Sequence, residues 1–259
     1  MQHARPTPVT VDDRVREGSG GVPARGAKSD SQPLHFRELP SADPYVATVL
    51  LDWFRVHGRV FPWRTTTDPY HILCAEVFLQ RTRAAQVVPV FQAFIERFSS
   101  PRAVLSAGKA AVRSIFGRLG LLWRADLFWE LQAVLVSEYR GVVPREHRQL
   151  LALPGVGEYA ATATRVFAFG EIDTVVDANV LRILSRFYGM RLPEHLRRNR
   201  AFRMWAGQLA PLDSYKCREF NWALIDHGAL VCTASSPRCA VCPLSLGCCY
   251  NRLRDAPSP

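Results

Sequence analysis

The sequence of 259 residues predicts an all-α protein with short connections between its helices. From Tyr45 onward, apolar residues recur at spacings of three and four, as on the buried face of an amphipathic helix. No alternating apolar and polar pattern, which would mark a half-buried strand, persists over several segments. Hydrophobic residues make up 48% of the chain, so these helices can bury a substantial core.

The helical segments follow one another with few interruptions. The clearest of them read YVATVLLDWFRVHG, HILCAEVFLQRT, AAQVVPVFQAFIERF, KAAVRSIFGRLG and RADLFWELQAVLVSEYRG. The stretches RVFPWRTTTDPY, SSPRAV and GVVPREH are interpreted as the breaks between them. Residues 1–36 are rich in Gly, Pro, Ser, Arg and Asp and are expected to form a disordered basic tail. Residues 251–259 are expected to form a second, shorter tail.

The charge balance indicates a polyanionic partner. The formal net charge is +10, which favours nucleic acid before a membrane surface, although a basic protein without such a partner is the alternative. No run of 18 apolar residues is present, so no membrane span is expected. The first residues lack the apolar segment of a secretory signal. We therefore expect an intracellular, cytoplasmic and nucleoid-associated protein that is monomeric and has no membrane partner.

Four of the seven cysteines are closely spaced near the end of the chain. They follow the pattern C-x6-C-x2-C-x5-C and are Cys232, Cys239, Cys242 and Cys248. An intracellular chain is not expected to use them as a disulfide framework, and four thiolates suit either zinc or an iron–sulfur cluster. The spacing alone leaves both metals open. Cys74 lies on a helical segment and is expected to pack in the core, and Cys217 is expected to have a structural role.

The stretch LPGVG predicts a tight turn between two helices, one over residues 145–152 and one that begins near Glu158. Glycines allow such a turn and leave backbone N–H groups open, and the start of the next helix adds a positive dipole. In a basic chain this favours binding of a phosphate, while a plain helix–helix turn is the alternative. The residues expected to bind DNA here are Leu153, Gly155, Val156 and Gly157.

Asp177 stands where another helix begins, about twenty residues beyond the hairpin. The preceding Val175 and Val176 read as buried, and aspartate is a good N-cap because it accepts hydrogen bonds from the first helical turn. A carboxylate held in this way is also oriented and kept ionised. Asp177 is therefore either a cap only, or a cap that also faces the sugar of a bound strand.

LPGVG, then VVDANV, then the four-cysteine spacing together resemble the helix-hairpin-helix DNA glycosylases of the endonuclease III and adenine glycosylase superfamily. The likeness runs from about Tyr45 to Tyr250, and FPWR, DPYHILCAEVFLQRT and EFNWALIDHGALVC are similar to the adenine glycosylase branch. The resemblance implies a six-helix barrel domain at residues 63–171. It also implies a second domain, formed by residues 37–62 and 172–250, whose four cysteines hold a [4Fe–4S] cluster. Double-stranded DNA would bind between the two domains.

The resemblance also implies roles for individual residues. Asp177 would be the catalytic aspartate, which stabilises positive charge on the deoxyribose as the C–N bond breaks. Glu76 would be the catalytic glutamic acid, and burial would raise its pKa so that it can donate a proton; an exposed helix glutamate is the alternative. Gln80 would be the wedge that holds the flipped base out of the stack. Arg81 replaces a second glutamine and would either read the partner base or bind phosphate.

Tyr159 directly follows the hairpin, and its residue type limits which reactions are expected. In the endonuclease III pattern this position is lysine, whose amine attacks the sugar and then cleaves the strand. Tyrosine cannot form that Schiff base, so we expect a glycosylase with weak or no lyase activity. Tyrosine followed by VVDAN is similar to archaeal mismatch glycosylases that remove thymine or uracil opposite guanine. The phenol would stack on the flipped base or hydrogen-bond its edge, and simple packing between helices is the alternative.

Two departures from the adenine enzymes favour thymine or uracil opposite guanine as the substrate. The chain ends at Pro259, which leaves no room for the domain that recognises 8-oxoguanine, and GRLGLLWRADLF differs from their GLGYY-x-RA stretch. Adenine opposite guanine or 8-oxoguanine is the first alternative, and another damaged base the second. A non-catalytic iron–sulfur DNA-binding module is a further alternative, and the presence of both Asp177 and Glu76 argues against it.

Overall fold

Twelve α-helices joined by short loops make up residues 39–120 and 122–254, the part of the chain that this computed structural model describes. This confirms the all-α prediction. Within these residues, no helix combines the length and the apolar content needed to cross a membrane. The helices are α1 (Pro44–His57), α2 (Pro69–Leu79), α3 (Ala84–Arg97), α4 (Pro101–Ala107), α5 (Lys109–Arg118), α6 (Trp123–Tyr139), α7 (His147–Ala152), α8 (Glu158–Phe169), α9 (Ala178–Tyr188), α10 (Arg200–Gly207), α11 (Ser214–Leu230) and α12 (Cys249–Arg254).

Side-chain caps fix where the functionally important helices begin. Asp43 and Asp68 accept hydrogen bonds from the first turns of α1 and α2, and a proline follows each of them at the first helical position. Asp177 caps α9 in the same manner, as its position in the sequence predicts. Helices α8 and α9 are each followed by a glycine with a left-handed backbone, Gly170 and Gly189, both with φ of 68°.

Buried apolar side chains form two separate cores. The first core combines α1, Ile72 of α2, the C-terminal half of α8 and helices α9 to α11. The second core combines Trp63, helices α2 to α7 and the N-terminal half of α8. Helix α8 therefore serves both cores, with Ala160 and Ala161 in the second and Val166 and Phe167 in the first. The predicted domain boundaries, between residues 62 and 63 and between residues 171 and 172, both stay predictions.

Two local predictions differ from the structure. The stretch SSPRAV, interpreted as a break, contains the start of α4, because Ser100 accepts a hydrogen bond from Ala103 N (3.3 Å) and Pro101 occupies the first turn. The tail expected at 251–259 begins later, because α12 continues to Arg254. Residues 255–259, and the disordered tail predicted for residues 1–36, lie outside the described residues.

Candidate active site

Glu76 is buried in the middle of α2, a helix whose residues from Ile72 to Phe78 are all buried. Only 4% of Glu76 is exposed, and its Oε2 atom has no hydrogen-bond partner among the described residues. Burial raises the pKa of this carboxyl group to about 8; the charge of Arg64 lowers it and that of Asp177 raises it further. Glu76 is therefore a neutral acid at pH 7, and the exposed-glutamate alternative is wrong.

Asp177 has the opposite environment. Its Oδ1 accepts a hydrogen bond from Val180 N (2.7 Å), and its Oδ2 accepts one from Asn179 Nδ2 (2.8 Å). The half-buried side chain is therefore held by two N–H donors and retains contact with solvent. The prediction that Asp177 caps a helix is confirmed, and the same contacts orient its carboxylate.

The extended segment before Asp177 is held by a buried side chain of α11. Asn221 accepts a hydrogen bond from Val175 N (2.7 Å) and donates to the carbonyl oxygens of Asp173 and Cys217, each at 2.9 Å. An asparagine whose side-chain oxygen accepts from the backbone and whose amide NH2 donates to it fixes the position of that backbone segment. Asn221 lies in the stretch EFNWALIDHGALVC, but its role could not be predicted because its partners before Asp177, Val175 and Asp173, lie 46 and 48 residues away.

Tyr159 lies in the first turn of α8 and is half-buried against the first core. Burial raises the pKa of its phenol well above the ordinary value, and the nearby carboxyl groups of Glu76 and Asp177, both ionised at the pH where a phenol titrates, raise it further. The phenol is therefore uncharged. The three side chains predicted to act together lie within electrostatic reach of one another, so the fold brings them to one site. The packing alternative for Tyr159 is compatible with this position.

A buried ion pair next to Glu76 escaped the sequence analysis. Arg64 donates to both carboxylate oxygens of Asp226, at 2.8 and 2.9 Å, and Arg59 Nη2 lies 2.7 Å from the same carboxylate. Burial acts to raise the pKa of Asp226, but the hydrogen bonds and charges of Arg64 and then Arg59 lower it overall. Both partners lie in stretches that carry the family resemblance, Arg64 in FPWR and Asp226 in EFNWALIDHGALVC. The sequence does not show that they pair, because 162 residues separate them.

The hairpin between α7 and α8 exposes backbone groups of its two glycines, whereas its larger side chains are buried. Leu153 and Val156 are buried in the second core, whereas Gly155 and Gly157 are exposed. Gly155 has a φ of 75°, a conformation that favours glycine. No side chain caps α8 at Gly157, so the first N–H groups of the helix are not capped. Any contact with a phosphate would use these N–H groups, because those of Leu153 and Val156 already donate to the carbonyl oxygens of Leu150 and Leu153, both at 3.1 Å.

The predicted wedge residue contacts the hairpin directly. Gln80 ends α2, and its Nε2 donates a hydrogen bond to the carbonyl oxygen of Gly155 at 2.9 Å. The next residue, Arg81, is exposed and has a left-handed backbone with φ of 56°. The fold therefore places Gln80, Arg81 and the hairpin together, although they are far apart in the sequence.

The four cysteines with the predicted spacing line a single cavity. Burial is the main cause that raises the pKa of Cys242 to about 11, and the charges of the other three cysteines contribute to the rise. Arg186 Nη1 lies 3.4 Å from Cys232 Sγ, and His227 Nε2 lies 3.3 Å from Cys242 Sγ. Four thiolates match the donor set of an iron–sulfur cluster. Cys74 is fully buried in the second core, as predicted.

A chain of hydrogen bonds connects Asp177 with the cysteine loop. Asn179, which donates to Asp177, accepts a hydrogen bond from Arg182 Nη2 at 2.8 Å. Arg182 Nε in turn donates to the carbonyl oxygen of Cys232 at 2.8 Å. The loop that carries the first cysteine thus supports the helix start that carries the carboxylate.

Comparison with known proteins identifies the family, although no family model matches the chain. The chain is 35% identical over 207 residues to the thymine/uracil-DNA glycosylase of Methanothermobacter thermautotrophicus, covering 80% of this chain and 92% of the relative. It is 40% identical over 212 residues to the adenine DNA glycosylase of Mycolicibacterium smegmatis, covering 81% and 70%. The solved structure of a thermostable thymine-DNA glycosylase superposes with a TM-score of 0.73 at 33% identity, covering 80% and 95%. The chain therefore belongs to the helix-hairpin-helix superfamily of DNA glycosylases, together with thymine/uracil-DNA and adenine DNA glycosylases.

Proposed function

We propose that this protein is a base-excision DNA glycosylase that hydrolyses the N-glycosidic bond of thymine or uracil opposite guanine. The observation that carries the proposal is the pair formed by Glu76, a buried acid that is neutral at pH 7, and Asp177, a carboxyl group that two hydrogen bonds orient at the start of a helix. The likeness to the thymine/uracil-DNA glycosylase of M. thermautotrophicus supports the choice of base.

The two carboxyl groups have complementary tasks in this reaction. Glu76 carries a proton at neutral pH and donates it to the departing base, so that the base does not leave as an anion. Asp177 stabilises the positive charge that builds up on the deoxyribose as the C–N bond lengthens. The same carboxylate orients the water that attacks the sugar. The neutral acid lies in the buried middle of α2 and the second carboxyl group at the start of α9, so each takes one of the two tasks.

Tyr159 restricts the reaction to base removal. It offers an uncharged phenol in place of the amine that a Schiff base with the sugar requires. The expected product is an abasic site on an intact strand, which breaks only when alkali is added. The phenol is also available to stack on the flipped base or to hydrogen-bond its edge.

Double-stranded DNA with a mismatch is the proposed partner. The net charge of +10 supports affinity for the phosphate backbone. The uncapped N–H groups after Gly157 would hold a phosphate, Gln80 would fill the gap left by the flipped base, and the exposed Arg81 would contact the partner base or a phosphate. We expect the protein to act as a monomer on nucleoid DNA.

We further propose that the four cysteines of the cavity hold a [4Fe–4S] cluster. When bound, the cluster would supply four iron–thiolate bonds that cross-link the loop between residues 232 and 248. The choice of a cluster over zinc rests on the family to which the chain belongs, because four thiolates suit either metal. Iron and zinc analysis of the purified protein, with Cys239→Ser as the comparison, tests this assignment.

Adenine excision is the second candidate. The chain is 40% identical to the adenine DNA glycosylase of M. smegmatis, a higher identity than to the thymine/uracil relative over a similar length. The pair of Glu76 and Asp177 would serve either base, because protonation of the leaving group and stabilisation of the sugar are common to both. A few pocket residues decide between them.

Single-turnover excision on labelled duplexes separates these possibilities. The duplexes carry G:T, G:U, A:G and A:8-oxoguanine and are analysed with and without alkali. Asp177→Asn should abolish cutting, whereas Asp213→Asn, which changes another capping aspartate that accepts a hydrogen bond from Lys216 N (2.8 Å), should not. Cutting of G:T or G:U only after alkali is the expected result. Cutting of only the adenine duplexes would favour the second candidate, and binding without any cutting would favour a non-catalytic module.

A further inference from the structure

The loop of residues 80–82, which follows α2, has a conformation that needs support from elsewhere in the fold. Arg81 adopts a left-handed backbone with φ of 56°, which costs roughly 1 kcal/mol or more for a residue with a Cβ atom. The loop is partly exposed and lies between the helix that carries Glu76 and the hairpin. Short exposed loops in such a conformation would populate others unless contacts hold them.

A buried guanidinium of α6 supplies these contacts. Arg124 is only 2% exposed; its Nη1 donates to the carbonyl oxygens of Val77 (3.0 Å) and Gln80, and its Nη2 donates to Thr82 Oγ1 (2.9 Å). These three hydrogen bonds satisfy the last carbonyl groups of α2 and reach across Arg81 to the far side of the loop. The rigid fork of the guanidinium makes such a bridge possible, whereas a lysine ammonium could not span it in the same way.

The burial of Arg124 calls for a reason, because no carboxylate among residues 39–120 and 122–254 forms an ion pair with it. Removing a charged group from water without a counter-charge is costly. The C-terminal end of α2, where the carbonyl dipoles point at the guanidinium, offsets part of that cost. The remaining cost of desolvating Arg124 has a functional explanation if the guanidinium serves to fix the loop of residues 80–82.

The same end of α6 also contacts the hairpin. A Cβ atom placed on Gly155 would lie 3.5 Å from Leu127 Cβ, so Leu127 packs directly beneath the turn. Gly155 in turn accepts the hydrogen bond from Gln80. Residues 124 and 127 are one helical turn apart. They therefore support the loop and the hairpin from the same end of α6.

We propose that Arg124 is a positioning residue that holds the 80–82 loop ready to replace the target base in the duplex. This rests on the proposed function, in which Gln80 enters the stack. Arg124 does not touch the DNA, and its contribution is to remove the conformational freedom that the loop would otherwise lose during base extrusion. Its loss should therefore slow the extrusion of a paired base and leave the later bond cleavage unchanged.

The test compares a substrate that resists extrusion with one that does not. Uracil is placed opposite guanine in one duplex and opposite an abasic-site analogue in the other, where no pairing opposes flipping. Arg124→Lys and Thr82→Val, which removes one acceptor of the guanidinium, should each slow single-turnover excision of the paired uracil about tenfold, the effect of one lost hydrogen bond of about 1.4 kcal/mol. Excision of the unpaired uracil should change less than about threefold, since the chemical step keeps Glu76 and Asp177.

Two controls separate the alternatives. Arg113→Lys alters an arginine whose ion pair with Asp126 (3.4 Å) is exposed, and it should leave both rates unchanged. Thr82→Ser keeps the hydroxyl group and should restore the paired-substrate rate. An equal loss on both substrates would overturn the proposal and leave Arg124 a purely structural residue, and Thr82→Val decides this even if the Arg124 variant does not fold.

A readout without turnover keeps the proposed function and this inference apart. Fluorescence of 2-aminopurine placed next to the mismatch rises when the neighbouring base leaves the stack. Arg124→Lys and Thr82→Val should reduce that rise at saturating protein, whereas Arg113→Lys should not. If wild-type protein cleaves no duplex, the proposed function fails, and an unchanged fluorescence rise in both loop variants would independently refute the role of Arg124.

Discussion

Replacing Glu76 with glutamine should make the protein a slower enzyme and, at neutral and alkaline pH, a more stable one. The side chain is buried and keeps its shape in the variant, but glutamine cannot lose or donate a proton. The pKa of Glu76 rises from 4.5 to about 8 on folding, mainly because burial disfavours the charged form. The wild-type protein therefore carries a stability cost that depends on pH, whereas the variant does not.

The sign of this pH dependence of stability follows from proton linkage. Because the pKa of Glu76 is higher in the folded state, the folded protein is favoured below pH 4.5 and loses stability as pH rises towards 8. Between pH 5 and pH 8 the loss amounts to roughly 3.5 kcal/mol. Glu76→Gln should remove this dependence, so its free energy of unfolding relative to wild type should improve by that amount over the same interval.

The rate should respond in the opposite sense. Excision by the wild-type enzyme should fall about tenfold for each pH unit above pH 8, because the ionised carboxylate no longer donates a proton to the departing base. Glu76→Gln should lack this limb and excise roughly 100-fold to 10,000-fold more slowly than wild type at pH 7.

Urea unfolding at pH 5 and pH 8, together with single-turnover excision from pH 6 to pH 9.5, measures both effects on the same preparations. Glu130→Gln, which alters an exposed glutamate of α6, serves as the matched control and should change neither. A stability difference between wild type and Glu76→Gln that is the same at pH 5 and pH 8 would refute a neutral buried acid. A falling alkaline limb that persists in Glu76→Gln would assign that limb to another group.

Three further predictions concern the rest of the site. Tyr159→Lys places an amine beside the sugar and should give strand cleavage without alkali, together with a covalent adduct trapped by borohydride; failure to trap one would place this side chain away from the sugar. Gly155→Ala forces an L side chain into φ of 75° next to Leu127 and should lower the free energy of unfolding by about 1 to 3 kcal/mol and weaken DNA binding in a titration. Asp226→Asn leaves the buried Arg64 without its counter-charge and should cost about 3 to 5 kcal/mol in urea unfolding at pH 7; a cost below 1 kcal/mol would contradict a tightly coupled buried pair.

The sequence by itself determined the features that depend on neighbouring residues. The spacing of apolar residues predicts most of the helices, and the position of Asp177 before α9 predicts its capping, because both depend on contacts three or four residues apart. The cysteine spacing predicts the shared cavity because all four residues lie in one short stretch of the chain, residues 232–248. Where local signals were read too simply, the prediction was wrong, as for the capped helix α4 and for the start of the C-terminal tail.

Only the tertiary structure decided which of these pieces meet. The pairing of Arg64 with Asp226 spans 162 residues, and the contact of Gln80 with the hairpin spans 75. The proton affinity of Glu76 likewise depends on every element packed around α2. Long-range partners and burial arise from the packing of helices whose order in space no local pattern encodes. The residue types of the site could be predicted from the sequence, but their charges and supports required the folded protein.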